Sequence, residues 1–215
     1  MKCDNQAMLL YAVTDRAWVG KQSLYEQVES ALKGGVTCVQ LREKELDEEA
    51  FLAEAMEVSA LCKRYGVPFF VIDNVEIATR CGADGVHVGQ EDMEATQVRN
   101  KVGEHMMIGV SVHSVEEALI AVANGADCLG VGAMFSTSTK NDADVLTMET
   151  LREICAEADI PVVAIGGIDK NNITQFTGTG VDGVALVSAI FGAEDIEREC
   201  RLLYKLSEKL TKSEA

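Results

Sequence analysis

Four similar stretches recur along the chain: Gly35-Val-Thr-Cys-Val-Gln40, Gly82-Ala-Asp-Gly-Val-His87, Gly125-Ala-Asp-Cys-Leu-Gly130 and Gly180-Val-Asp-Gly-Val-Ala185. Each places a small turn before a short apolar run. The leading glycines stand 47, 43 and 55 residues apart, a spacing too long for one strand and one helix and suited to two such units. Four more apolar runs, at 8–13, 68–72, 107–110 and 161–165, fall between the repeats. Eight runs in 215 residues give units of about 27 residues, the length of a strand–helix pair.

The segments between the runs read as helices. Asp47-Glu48-Glu49 is an acidic first turn, and Phe51, Ala55, Val58 and Cys62 follow at helical spacing. Ser114 with Glu117 has the pattern of a capping box leading into 118–123. Ile196, Cys200, Leu203, Leu206 and Leu210 form one apolar stripe on a closing helix. The strands are nearly continuous apolar runs, as expected where both faces are covered. Pro68 and Pro161, the only two prolines, each open a strand, where a missing amide donor is tolerated. The expected fold is therefore α/β: one (β/α)8 barrel domain spanning 1–215. An open doubly wound sheet is the competing architecture, but no Gly-rich nucleotide-binding fingerprint accompanies it.

Composition limits the function. Nineteen basic against 35 acidic residues give a net charge of −16, which excludes a nucleic-acid backbone as a natural partner and disfavours an anionic membrane surface. Whether so acidic a chain binds a small anionic substrate is a separate matter of placement. Seven cysteines with no C-x-x-C spacing argue against a disulfide framework or zinc knuckle. The apolar run at 8–13 is too short for a signal peptide, and no run reaches transmembrane length. A cytoplasmic location is expected.

Barrel chemistry sits at the C-terminal ends of the strands. After the second strand come Gln40, Leu41, Arg42, Glu43 and Lys44. Gln40, Arg42 and Lys44 alternate, so they share one face of an extended strand end and suit a doubly charged oxyanion group. The plainer reading is a solvated, charged strand end. Asp73 and Asp92 follow strands 3 and 4; beside a diphosphate they suit Mg2+, which takes few protein ligands and keeps substrate oxygens. As isolated acids they would be a helix cap and a surface charge. Gly166-Gly167 and Val187-Ser188, after strands 7 and 8, match the usual barrel phosphate site, although turn glycines occur widely. The polar loop at 133–145 offers Thr137, Ser138, Thr139 and Lys140 and is long enough to be functional. His87, inside an apolar strand, reads as a packing residue, and His113 as a neighbour of a helix cap.

The chain resembles the thiamine-phosphate synthase (thiamine-phosphate pyrophosphorylase) family along nearly its whole length. The matching segments are 11–15, Gln40-Leu-Arg-Glu-Lys44, 85–92, Gly109-Val-Ser111, 137–140, Ala164-Ile-Gly-Gly167 and Val187-Ser188. The resemblance implies coupling of 4-amino-2-methyl-5-(diphosphooxymethyl)pyrimidine to thiazole phosphate, giving thiamine phosphate and pyrophosphate. It implies that Gln40, Arg42, Lys44, Ser111 and Lys140 bind the pyrimidine diphosphate. Asp73 and Asp92 would hold Mg2+, and Thr137, Thr139, Gly167, Val187 and Ser188 would bind the thiazole phosphate. Arg42, Lys44 and Lys140 would stabilise the leaving diphosphate. One position departs: the residue before the metal Asp, commonly Asn in the family and in contact with the pyrimidine, is Ile72 here. Two alternatives remain. A related thiazole tautomerase uses a His near position 133, which is Ala133 here, and a non-catalytic barrel would bind a thiamine precursor.

Overall fold

The computed structural model describes residues 3–20, 22–90, 92–137 and 145–211. Eight parallel strands close a barrel in sequence order: β1 (Leu10–Val13), β2 (Cys38–Leu41), β3 (Phe69–Ile72), β4 (Gly85–Val88), β5 (Met107–Val112), β6 (Cys128–Val131), β7 (Val162–Ile165) and β8 (Gly183–Leu186). β8 returns to β1 through pairs such as Tyr11 with Ala185. The helices are α1 (Leu24–Lys33), α2 (Glu48–Tyr65), α3 (Val75–Cys81), α4 (Ala95–Val102), α5 (Val115–Ala123), α6 (Met148–Glu157), α7 (Ser188–Phe191) and α8 (Ile196–Thr211).

The fourfold repeat has one physical cause. Thr37, Asp84, Asp127 and Asp182, third in their repeats, each latch the start of the preceding strand. Their side-chain oxygens accept the backbone N–H of Leu10, Phe69, Ile108 and Val162 at 2.8, 3.0, 2.8 and 2.8 Å. Their own N–H groups donate back to the carbonyls of the same four residues. Each latch satisfies a strand-end donor that would otherwise be orphaned. The prolines take the complementary role, since Pro68 and Pro161 carbonyls accept from Val39 and Leu129.

Strand alternation splits the core in two. Outward residues such as Leu10, Val39, Leu41, Val71 and Val86 pack against the helices, and the α2 stripe Phe51, Ala55, Val58 and Cys62 joins them. Inward residues Met8, Tyr11, Cys38, Phe70, Met107, Cys128 and Val163 fill the barrel. That filling is lopsided. A Cβ on Gly85 would lie 2.3 Å from the Phe70 ring, and one on Gly109 would lie 2.4 Å from His87 Nδ1. Large side chains on β3 and β4 thus occupy space that glycines on β4, β5 and β6 leave open.

Two local expectations are corrected. The seventh strand is followed by a 3-10 turn, Ile173–Phe176, in place of a full helix; Asp169 and Asn172 close tight turns there, and Gly178 and Gly180 take φ of 74° and 94°. The capping box at α5 is half formed: Ser114 accepts from Glu117 N–H, but the Glu117 carboxylate binds His113 N–H at 2.7 Å instead of returning to Ser114. The complete box is at α1, between Ser23 and Glu26.

Candidate functional site

The mouth of the barrel begins at the ends of β1 and β2. Gln40, 4% exposed, points inward and donates from Nε2 to the Tyr11 hydroxyl at 3.1 Å. Thr14 N–H donates to the Gln40 carbonyl, and Thr14 Oγ1 accepts Arg42 N–H at 3.0 Å. Arg42 Nη1 donates to Asp15 at 3.0 Å. Lys44 pairs with Asp73 across to β3. The structure thereby divides the Gln40–Lys44 run. Gln40 points into the barrel, and Arg42 and Lys44 reach partners at the ends of β1 and β3. Leu41 is fully buried in the outer core, and Glu43 turns away from the mouth to Arg16. The pleat sends alternate side chains to opposite faces, so the side chains of Leu41 and Glu43 lie away from the mouth.

Asp73 sits on strained backbone. Its φ is 59°, the only positive value at a non-glycine among the described residues, a conformation that costs on the order of 1–3 kcal/mol. Its N–H donates to the His87 carbonyl at 2.7 Å, and the next N–H, of Asn74, folds back to Ile72 at 2.6 Å. Asn74 then caps α3 through Ile77 N–H. The tight turn brings the Asp73 carboxylate beside Lys44 and Asp92. Burial raises its carboxyl above the ordinary value; Lys44 opposes the shift and Asp92 adds to it. Asp92 is anchored by Gly89 N–H at 2.8 Å. Two adjacent carboxylates with hard oxygen donors fit a divalent cation such as Mg2+, which commonly uses one or two carboxylates and completes its shell with water and substrate phosphate. No group of three or more such ligands occurs among the described residues.

Ser111, inward on β5, bonds His87 Nε2 at 2.9 Å, and its carbonyl accepts from Gln90 at 2.7 Å. The imidazole is buried, its Nδ1 has no partner, and burial pushes its pKa down to about 4. His87 is therefore neutral at physiological pH. Ile72 alternates with Val71 and so faces the mouth, half-buried, in register with His87.

Loop geometry explains the glycines after β7. Gly166 and Gly167 have φ of 98° and 63°, and a Cβ on Gly167 would come within 2.6 Å of the Ser136 carbonyl. Phe135 N–H donates to Gly166 O, so the β6 and β7 loops lie backbone to backbone. Thr137 is half-buried at the end of this described stretch; Ser138, Thr139 and Lys140 lie outside the described residues. Val187 and Ser188 top β8, next to β7, with Ser188 opening α7.

Sequence reasoning missed Arg16 altogether and gave Asp15 no role. The available signal was their place directly after β1, opposite Arg42 and Glu43 of opposite charge. His87 does pack, as expected, yet it also bonds Ser111.

A family model described as thiamine monophosphate synthase matches residues 10–190. The chain is similar to the thiamine-phosphate synthase of Clostridium botulinum, at 47% identity over 201 residues covering 94% of each chain. It is 44% identical to that of Clostridium acetobutylicum over 93% of this chain and 95% of the other. The solved thiamine phosphate pyrophosphorylase from Pyrococcus furiosus superposes with a TM-score of 0.89 at 40% identity, covering 96% of this chain and 98% of that one.

Proposed function

The chain belongs to the thiamine monophosphate synthase family, and on that premise we propose that it joins 4-amino-2-methyl-5-(diphosphooxymethyl)pyrimidine to 4-methyl-5-(2-phosphooxyethyl)thiazole. The products are thiamine phosphate and pyrophosphate. The protein is a transferase. The observation that carries the substrate reading is the Arg42, Lys44, Asp73 and Asp92 cluster at one edge of the barrel mouth, the charge set a metal-bound diphosphate needs.

The reaction is a substitution at the pyrimidine methylene. The bond to the diphosphate oxygen breaks, the leaving group takes the electron pair, and the 4-amino group of the pyrimidine stabilises the cation-like carbon. The thiazole nitrogen then donates its lone pair to that carbon. Such chemistry asks for leaving-group stabilisation and alignment, and no strong base. Arg42, Lys44 and Lys140 bind the departing diphosphate, and the Ser111 hydroxyl adds a hydrogen bond. Asp73 and Asp92 would hold Mg2+, which when bound neutralises charge on the diphosphate. Gln40, its amide fixed by Tyr11, orients the pyrimidine ring. Thr137, Ser138, Thr139, Gly167, Val187 and Ser188 receive the thiazole phosphate, with backbone N–H groups of the β7 and β8 loops as donors.

The partners in this reading are small molecules, and a net charge of −16 disfavours a nucleic-acid backbone. Seven free cysteines suit a reducing, cytoplasmic compartment. The test is incubation with both substrates, with and without Mg2+. Thiamine phosphate and pyrophosphate form in equal amounts and only with the metal; absence of both products at saturating substrate refutes the reading.

A further inference from the structure

Three consecutive residues at the end of β1 grip the end of β2, in a pattern of reciprocal charge. Thr14 holds the Gln40 carbonyl and the Arg42 N–H. Asp15 accepts from Arg42. Arg16 donates from Nε to Glu43 Oε2 at 2.7 Å, and its Nη2 reaches both oxygens of Glu54 on α2 at 2.9 and 2.8 Å. The other Glu43 oxygen accepts the N–H groups of Glu45 and Leu46 at 2.6 and 3.0 Å. Both carboxylate oxygens are thus filled, and the side chain is 2% exposed. A further carboxylate turned to the mouth, with no cation to pair it, would repel a diphosphate. Turned outward, it closes the backbone into a loop around Lys44.

We propose that Arg16 and Glu43 are positioning residues, touching no substrate, that hold Arg42 and Lys44 in register for the diphosphate. The inference rests on the reaction proposed above. Arg16 ties three elements together: the β1 end that carries Asp15, the β2 end that carries Arg42 and Lys44, and α2 behind them. Lys44 is half exposed and long, so its direction depends on the backbone that bears it, and that backbone is set by Glu43. A misplacement of about 1 Å at such a site costs up to about 100-fold.

The test uses the whole protein and two readouts. Calorimetry measures binding of inorganic pyrophosphate with Mg2+, and steady-state kinetics give separate KM values for the two substrates. In Arg16→Ala and Glu43→Gln, pyrophosphate Kd and pyrimidine-diphosphate KM rise by about 10- to 100-fold, while thiazole-phosphate KM moves by less than about twofold. The double variant is no worse than the poorer single one, because both changes break the same link. Arg16→Lys, which keeps the charge, recovers part of the loss and serves where the alanine variant fails to fold. Unchanged pyrophosphate affinity with a lowered melting temperature would make the pair a folding element alone and overturn the proposal, as would equal loss for both substrates. If the wild-type chain binds pyrophosphate yet forms no thiamine phosphate, the reaction is wrong, and the binding arm still decides the role of the pair.

Discussion

His87 Nε2 and Ser111 Oγ lie 2.9 Å apart inside the barrel, linking a buried imidazole on β4 to a hydroxyl on β5. His87 is 7% exposed, and burial holds its pKa near 4 against an ordinary 6.5. Between those values the unfolded chain takes a proton that the folded chain refuses, so acid favours unfolding. His87 leaves stability intact above pH 6.5 and removes on the order of 3 kcal/mol as pH falls toward 4. Denaturant titrations at pH 7.5 and 5 measure this. In His87→Gln the loss between those pH values is smaller than in wild type; equal losses would mean that the folded protein accepts the proton.

Asp73 combines a positive φ with a carboxylate proposed as metal ligand. Glycine adopts this backbone freely. Asp73→Gly therefore keeps or raises stability, by up to about 1 kcal/mol, while turnover falls by at least about 100-fold. Asp73→Ala loses the same turnover without the relief of strain. Thermal melts and product assays on both variants check this; near-normal turnover in either removes Asp73 from the reaction.

Ile72 faces the mouth where the resembled family commonly carries Asn. Restoring the amide with Ile72→Asn adds one hydrogen bond to the pyrimidine, a gain of about 0.5–1.5 kcal/mol. The expected result is a lower KM for the pyrimidine diphosphate and an unchanged KM for the thiazole phosphate. A higher pyrimidine KM would show that the site is shaped for the apolar side chain.

Gly85 leaves the space that the Phe70 ring fills. Gly85→Ala overpacks the barrel and costs about 1–3 kcal/mol. Adding Phe70→Leu recovers part of that loss, although Phe70→Leu alone is destabilising. Additive losses in the double variant would show that the two positions do not share the space.

How far the sequence could be read follows from the range of the interactions involved. Strand positions were legible because apolar runs and turn residues act locally, and all eight runs became strands. The repeat was visible, but the reason for its third residue was not, since Thr37, Asp84, Asp127 and Asp182 bond residues 15 to 27 positions away. Among the candidate site residues, alternation set Gln40, Arg42 and Lys44 apart from Leu41 and Glu43, and Asp73 and Asp92 were read as a pair from adjacent strand ends. Their actual contact depends on a strained turn at Asp73 that no local pattern announces.

The sequence by itself determined the parallel barrel, its eight strand ends and the identity of the charged residues there, because period and composition are properties of neighbours along the chain. Only the tertiary structure decided which charges meet. Barrel closure sets Asp15 against Arg42, Arg16 against Glu43 and Lys44 against Asp73, and it encloses His87 among glycines of two other strands. Those pairings join residues about 27 to 29 positions apart, roughly one strand–helix unit, and such a unit brings its two ends together only when it folds back on itself.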